Sequence, residues 1–396
     1  MNEINRISTI AALLLCLVCL QSFYSLQAQE DTPRKAWFST MSIDGRFLAV
    51  IYGEDTYDIP GVKSGVWIYD LEDLQSLPQY LKEIGDAGGH MEFSPNSKYF
   101  AYGTYDWLKI FDTEDMELIL DLSSETTPIR SDFGLISFSP DSNYIMSFSD
   151  WWTMEHEMSI WRIHSGQRLH VIAAPRRQQW IRYFWLSPDW KYFLDWSDSD
   201  SELITIYEFD TEVGIGQPLG SIPKLNYDGT AFSPDSSLFA SATLEGVVHV
   251  YDTGTWTRTH SAPLYEGACG QYAIRMAFDY KNSSLAAFCG VDRVLSVWDL
   301  ESNDIVFSAD NGVGPPEFTV NGAFLVSGRP FSGVPERFDI MVWNQEQDHE
   351  LARYPGQNPL LHPNSELMAT IGPDSRVWIW NIKSKDLLVI LPVPRQ

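Results

Sequence analysis

The stretch FSPDSSLFASAT, Phe232 to Thr243, sets Ser233, Pro234 and Asp235 side by side, a grouping that suits either a reacting centre or a reversal of the chain. Its first seven residues have counterparts throughout the sequence: MSIDGRF from Met41, FSPNSKY from Phe93, FSPDSNY from Phe138, LSPDWKY from Leu186, FDYKNSSL from Phe278, FTVNGAF from Phe318 and LHPNSEL from Leu361. Together with Phe232 that makes eight copies. With Asp44, Asn96, Asp141, Asp189, Asp235, Asn282, Asn321 and Asn364 as markers, the spacing averages about 46 residues, the period of a propeller blade. Proline presets φ at the second position of a type I turn, and Ser and Asp side chains take up nearby backbone N–H groups. A catalytic centre needs one nucleophile, so eight equivalents describe turns.

Each copy is followed by an alternating apolar run that ends in an aromatic and usually a polar residue: VWIYD (from Val66), LKIFD (Leu108), MSIWR (Met158), ITIYE (Ile204), VHVYD (Val248), LSVWD (Leu295), IMVWN (Ile340) and VWIWN (Val377). Period-two alternation with β-branched enrichment marks strands. A weaker segment such as LILDL (Leu118 to Leu122) or LLVIL (Leu387 to Leu391) closes each unit. Four antiparallel strands, a to d, therefore make one blade, with the Ser-Pro-Asp turn joining a to b. The expected fold is all-β, an eight-bladed propeller over residues 36–396, with seven blades as the alternative. The chain opens on a strand a (Ala36 to Met41) and closes on a strand d, so the last blade is expected to form from contiguous chain.

The pairing of FSPDG-like turns with strands ending in Trp-Asp resembles the WD-repeat (WD40-like) β-propeller family, most closely at LSVWD, Leu295 to Asp299. The resemblance implies a platform of a kind that is mostly non-catalytic. Family members often carry a Gly-His before strand a and an Asp between b and c, which form a buried hydrogen-bonded tetrad with a Ser/Thr and the Trp. Asp292 and Asp374 fall at that Asp position. Gly89-His90 lies too close to Phe93 for the usual register, so most blades are expected to hold by packing.

The net charge of −26 repels phosphate backbones and anionic headgroups, which argues against nucleic acid as a partner. Ile10 to Leu20 is too short an apolar run to span a bilayer and fits a secretory signal, residues 1–28, cleaved after Ala28. A short segment, 29–35, then leads into the propeller. Leu15 and Val18 precede Cys16 and Cys19 where a lipoprotein signal prefers small residues, so no lipid anchor is expected. No second run of membrane length follows. The expectation is a secreted or extracytoplasmic monomer without stable membrane insertion.

Loops between b and c are long in blades 1, 3, 4 and 7, and such insertions on one face of a repeat protein mark its binding face. Trp151 and Trp152 offer contact area with a polar N–H, and Arg176, Arg177, Arg329 and Arg337 offer forked hydrogen bonds to a carboxylate-bearing partner. Trp180, Trp185 and Trp196 add to the aromatics of blades 3 and 4. Asp198, Asp200 and Glu202 supply oxygen ligands but lack the glycine turn and terminal Glu of a calcium loop, so no metal is expected. Cys269 and Cys289 fall at matching ends of strands a and b of blade 6; in an exported chain they are candidates for a disulfide, worth about 3 kcal/mol in the chain-entropy model, with two buried free thiols as the alternative. His156, between Glu155 and Glu157, is the best single acid-base candidate, whereas His249 and His362 read as structural. No nucleophile elbow, phosphate loop or metal-protease motif appears. These features favour a non-catalytic scaffold for a protein partner, without a cofactor. The alternative is an enzyme or a small-ligand or carbohydrate binder at the channel mouth.

Overall fold

The computed structural model of the chain describes residues 35–53, 65–73, 76–81, 90–103, 108–122, 136–149, 157–173, 184–195, 203–223, 229–243, 246–264, 274–310, 314–328, 339–344 and 349–393. Among them, all regular structure lies in eight antiparallel sheets, each of four consecutive strands. Blades 1 to 8 occupy residues 35–81, 90–121, 136–173, 184–223, 230–263, 274–309, 316–355 and 357–390. Strand a of blade 1 (Lys35–Met41) lies against strand a of blade 2 (His90–Phe93) on one side and strand a of blade 8 (Gln357–Leu361) on the other. The ring is thus closed at eight blades, and its last blade is contiguous chain.

Packing between blades supplies the core. At the closing seam Leu48, Val50, Trp67 and Tyr69 of blade 1 bury against Ala369, Ile371, Val377 and Ile379 of blade 8, joined by Leu391 beyond the last strand. Burying side chains of this size is worth about 2 kcal/mol each. Polar contacts fix the register: Ala36 N–H donates to Ser375 O at 2.9 Å. The Tyr52 and Tyr69 hydroxyls meet at 3.0 Å, and Tyr69 donates to Pro392 O at 2.8 Å. His362, in the turn of blade 8, lies 3.0 Å from Gly45 O, a structural role across the seam.

The Ser-Pro-Asp segments are the a–b turns. In blade 2, Ser97 N–H donates to Ser94 O at 2.8 Å, closing a β-turn, and the Ser94 hydroxyl accepts from Tyr99 N–H and donates to Asn96. Ser233 is spent in the same way: it is buried, accepts from Leu238 N–H at 2.9 Å and donates to Asp235 at 2.8 Å. The residue after the turn Asp or Asn has positive φ in seven blades, at Gly45, Ser97, Ser142, Trp190, Ser236, Gly322 and Ser365, and Asn282 takes that conformation in blade 6. Left-handed backbone costs a non-glycine residue of order 1 kcal/mol. At all four serines an inter-blade hydrogen bond offsets that cost. Ser97 Oγ accepts from Asp44 N–H, Ser142 from Asn96 N–H, Ser236 from Asp189 N–H and Ser365 from Asn321 N–H, at 3.0–3.1 Å.

Blade 6 corrects one marker. Asp279 takes the capping place of the turn serine, accepting from Ser283 and Ser284 N–H, so Lys281 stands where other blades have Asp and Asn282 is the left-handed residue.

Candidate functional site

Strand order sends the a–b and c–d turns to one rim of the ring and the b–c and d–a connections to the other. The first rim repeats itself. On the second, strand b of blade 5 ends in a short closure from Thr243 N–H to Val247 O, and that of blade 8 in one from Gly372 N–H to Arg376 O. By contrast, strand b of blade 1 ends at Gly53 and strand c begins at Gly65, while in blade 7 the gap runs from Ser327 to Asp339.

Nearly all of the residues singled out in the sequence belong to connections of this second rim, and they lie outside the described residues: Trp151, Trp152, Arg176, Arg177, Arg329, Arg337, Asp198, Asp200, Glu202 and Cys269, with His156, Trp180 and Trp196. Trp185 falls in strand a of blade 4 (Phe184–Leu186). Cys289 is described; it ends strand b of blade 6, opposite Ile274 of strand a, and is disulfide-bonded. Among the described residues no three His, Cys, Asp or Glu side chains gather as they would around a metal ion.

The central channel holds a feature that sequence reasoning missed. On strands a the residue before the last is only partly buried at Thr40, Glu92, Ser137, Ala231, Ala277 and Leu360, and open at Glu317, while the residue after it is mostly buried. These positions therefore line the axis. Burial pushes the Glu92 carboxyl up to about 8, offset only in part by the backbone N–H of Phe138 in the next blade. Its Oε2 has no hydrogen-bond partner among the described residues. Glu317 keeps an exposed side chain, yet protein surrounds it, and that enclosure pushes its carboxyl up to about 7. His90 and Arg275 stand on the same ring of strands. The channel thus presents two acids that change charge near neutral pH. The only trace in sequence is a glutamate two places before a turn serine or threonine, in HMEFS and PEFT.

No protein-family model matches the chain. Over 231 residues it is 26% identical to Actin-interacting protein 1 of Drosophila melanogaster, covering 54% of this chain and 34% of that protein. The chain therefore spans about a third of the length of that relative. The β-propeller domain of Cps50 (Swd1) from Myceliophteria thermophila superposes with a TM-score of 0.50 and 16% identity, over 75% of this chain and 97% of that one. What this likeness shows is the fold: the chain is an eight-bladed β-propeller.

Of the buried tetrad that the resemblance to WD-repeat propellers implies, the structure has only part. In blade 8 the Trp380 indole N–H donates to Thr370 Oγ1 at 3.0 Å, and in blade 3 Trp161 donates to Ser147 Oγ at 3.0 Å. Asp374 holds no histidine; it accepts from the Trp378 indole at 2.9 Å and pairs with Arg376 at 2.6 Å. Burial pushes its carboxyl up, but hydrogen bonds from Arg376 and Trp378 outweigh this and hold it below the ordinary range. Asp292 lies 4.0 Å from Cys289 Sγ.

Proposed function

We propose that this WD40-like propeller is an exported, non-catalytic scaffold that holds a protein partner on the rim of its b–c and d–a connections. The contrast between rims carries the reading. Eight equivalent turns constrain one rim, while connections of unequal length leave the other free to diversify, and binding residues concentrate on such loops. Trp151 and Trp152 are its anchors, with Arg329 and Arg337 as partners for carboxylates. The disulfide at Cys289 supports an oxidising compartment. Its partner is inferred to be Cys269, which precedes the strand that pairs with Cys289, whereas Cys16 and Cys19 leave with the signal.

The test is affinity capture from the extracellular or envelope fraction, with Trp151→Ala/Trp152→Ala as control. Equal recovery of partners by both forms would dismiss the tryptophan anchors. N-terminal sequencing of the exported protein is expected to begin at Gln29, and a chain retained in the cytoplasm would overturn export. Glu92 and Glu317 favour the second reading, a small ligand at the channel. Under that reading Glu317→Gln, not the tryptophan variant, abolishes binding.

A further inference from the structure

A cleft of about 460 Å³ opens between blades 6 and 7, near the rim of a–b and c–d turns and so away from the proposed partner face. Phe307, half-buried, forms one wall over the buried Trp343, which it meets edge to face at 5.6 Å, with Val297 and Leu325 behind them and Val306 at the exposed lip. Asp299 and Asn344 supply the polar edge.

The charge at that edge is uncompensated. Asp299 and Asp304 stand directly opposite one another on strands c and d of blade 6, with Glu301 in the turn between them. Like charges in that register repel. Among the described residues none of the three carboxylates has an ion-pair partner, unlike Asp70 of blade 1, which holds Arg46 at 2.9 Å. Asp299 stays ionised, because the backbone N–H and hydroxyl of Ser302 hold its carboxyl below the ordinary range. Strand d of blade 6 (Asp304–Ala309) is also a sheet edge, open on its outer side, with Ile305 and Val306 exposed.

We infer that this cleft docks an extended basic segment of a partner polypeptide, placing one arginine between Phe307 and the Asp299–Asp304 pair. Each part of an arginine has a counterpart there. Its methylene stem covers Val306, its planar guanidinium stacks on the Phe307 ring, and its forked donors match two carboxylates. A bound cation would relieve the Asp299–Asp304 repulsion. The cleft exceeds one side chain in volume, which leaves room for flanking backbone to hydrogen-bond along the open edge. The chain's charge of −26 draws basic segments towards it. The inference does not depend on what the opposite rim binds.

The test uses the full chain and pools of acetylated octapeptides that share one fixed central residue: arginine, citrulline or leucine. Fluorescence anisotropy is measured at physiological salt. The arginine pool is expected to bind about tenfold more tightly than the citrulline and leucine pools. Asp299→Asn/Asp304→Asn is expected to erase that preference, since the amide oxygen introduced at position 299 still accepts the Ser302 N–H and the fold is kept, as circular dichroism would verify. Glu72→Gln, which removes an exposed carboxylate from the equivalent turn of blade 1, is expected to leave it intact. Equal binding of all three pools would overturn the proposal, as would a preference that survives the double substitution. Free arginine amide competing as strongly as the peptide pool would replace the polypeptide with a small cationic ligand.

Discussion

Blades 3 and 8 differ from blades 5 and 6 at one buried pair of positions. In blades 3 and 8 a strand-b hydroxyl, Ser147 or Thr370, receives the indole N–H of the strand-c tryptophan. Blade 6 keeps the tryptophan, Trp298, but has Ala287 at the hydroxyl position, while blade 5 keeps the hydroxyl, Ser241, but has Tyr251 in place of tryptophan. As a result the Trp298 Nε1 and Ser241 Oγ atoms are buried with no partner among the described residues. Two neighbouring blades thus each hold half of a pair that two others complete. Ring closure tolerates this because packing between blades, rather than the polar pair, holds the ring together. The orphaned groups still cost stability, since a buried donor or acceptor without a partner forfeits its hydration.

Glu92 is the extreme case, and replacing it is expected to have the largest effect. Its folded carboxyl titrates at about 8, above the ordinary 4.5. The unfolded chain therefore releases this proton first as pH rises. Stability is lost between about pH 4.5 and 8, and none of this penalty exists at lower pH. Discounted for the partial exposure of Glu92, the expected loss is about 3 kcal/mol. Urea denaturation at pH 5 and pH 8 is expected to show that slope in the parent protein and a flatter one in Glu92→Gln. Identical slopes would mean that the channel hydrates Glu92 fully.

Thr370→Val breaks a complete pair without altering shape. It strands the Trp380 indole N–H in the core and is expected to cost about 2 kcal/mol, read as a lower urea midpoint with unchanged m-value. If the cost is no larger than a few tenths of a kcal/mol, paired and orphaned blades are energetically alike and the contrast fails. The converse change, Ala287→Ser, supplies Trp298 with the acceptor that Trp161 and Trp380 already have. It is expected to raise stability by about 1 kcal/mol. A destabilisation would show that blade 6 has no room for the hydroxyl beside Ser296, its cross-strand neighbour.

Much of this architecture was legible in the chain, for physical reasons that differ by position. Turn geometry admits few residues, so Pro, Asp, Asn, Gly and Ser announced eight blades. Blade 6 misled by one place because Asp279 performs the capping that serine performs elsewhere, which let Lys281 stand in the Asp position. Loop length located the variable rim, since strand ends are fixed by alternation. The channel acids and the cleft of blades 6 and 7 were not legible. Glu92 is perturbed by how blades 2 and 3 approach, and Phe307 meets Trp343 only across a blade boundary. Neither depends on a local pattern.

The smallest expected effect tests the other half of the contrast. Ser241 sits opposite His249 in register, fully buried, with the strand-c aromatic replaced by a tyrosine whose polar atom lies at the far end of its ring. Its hydroxyl thus surrendered water without gaining a donor. Ser241→Ala removes that unpaired group, leaves only a small void, and is expected to raise stability by about 0.5 kcal/mol. The same substitution at Ser147, where the hydroxyl receives Trp161, is expected to lower it. Opposite signs for one chemical change in two equivalent strands would place the cause in the partner across the sheet. Equal signs would place it in the strand itself.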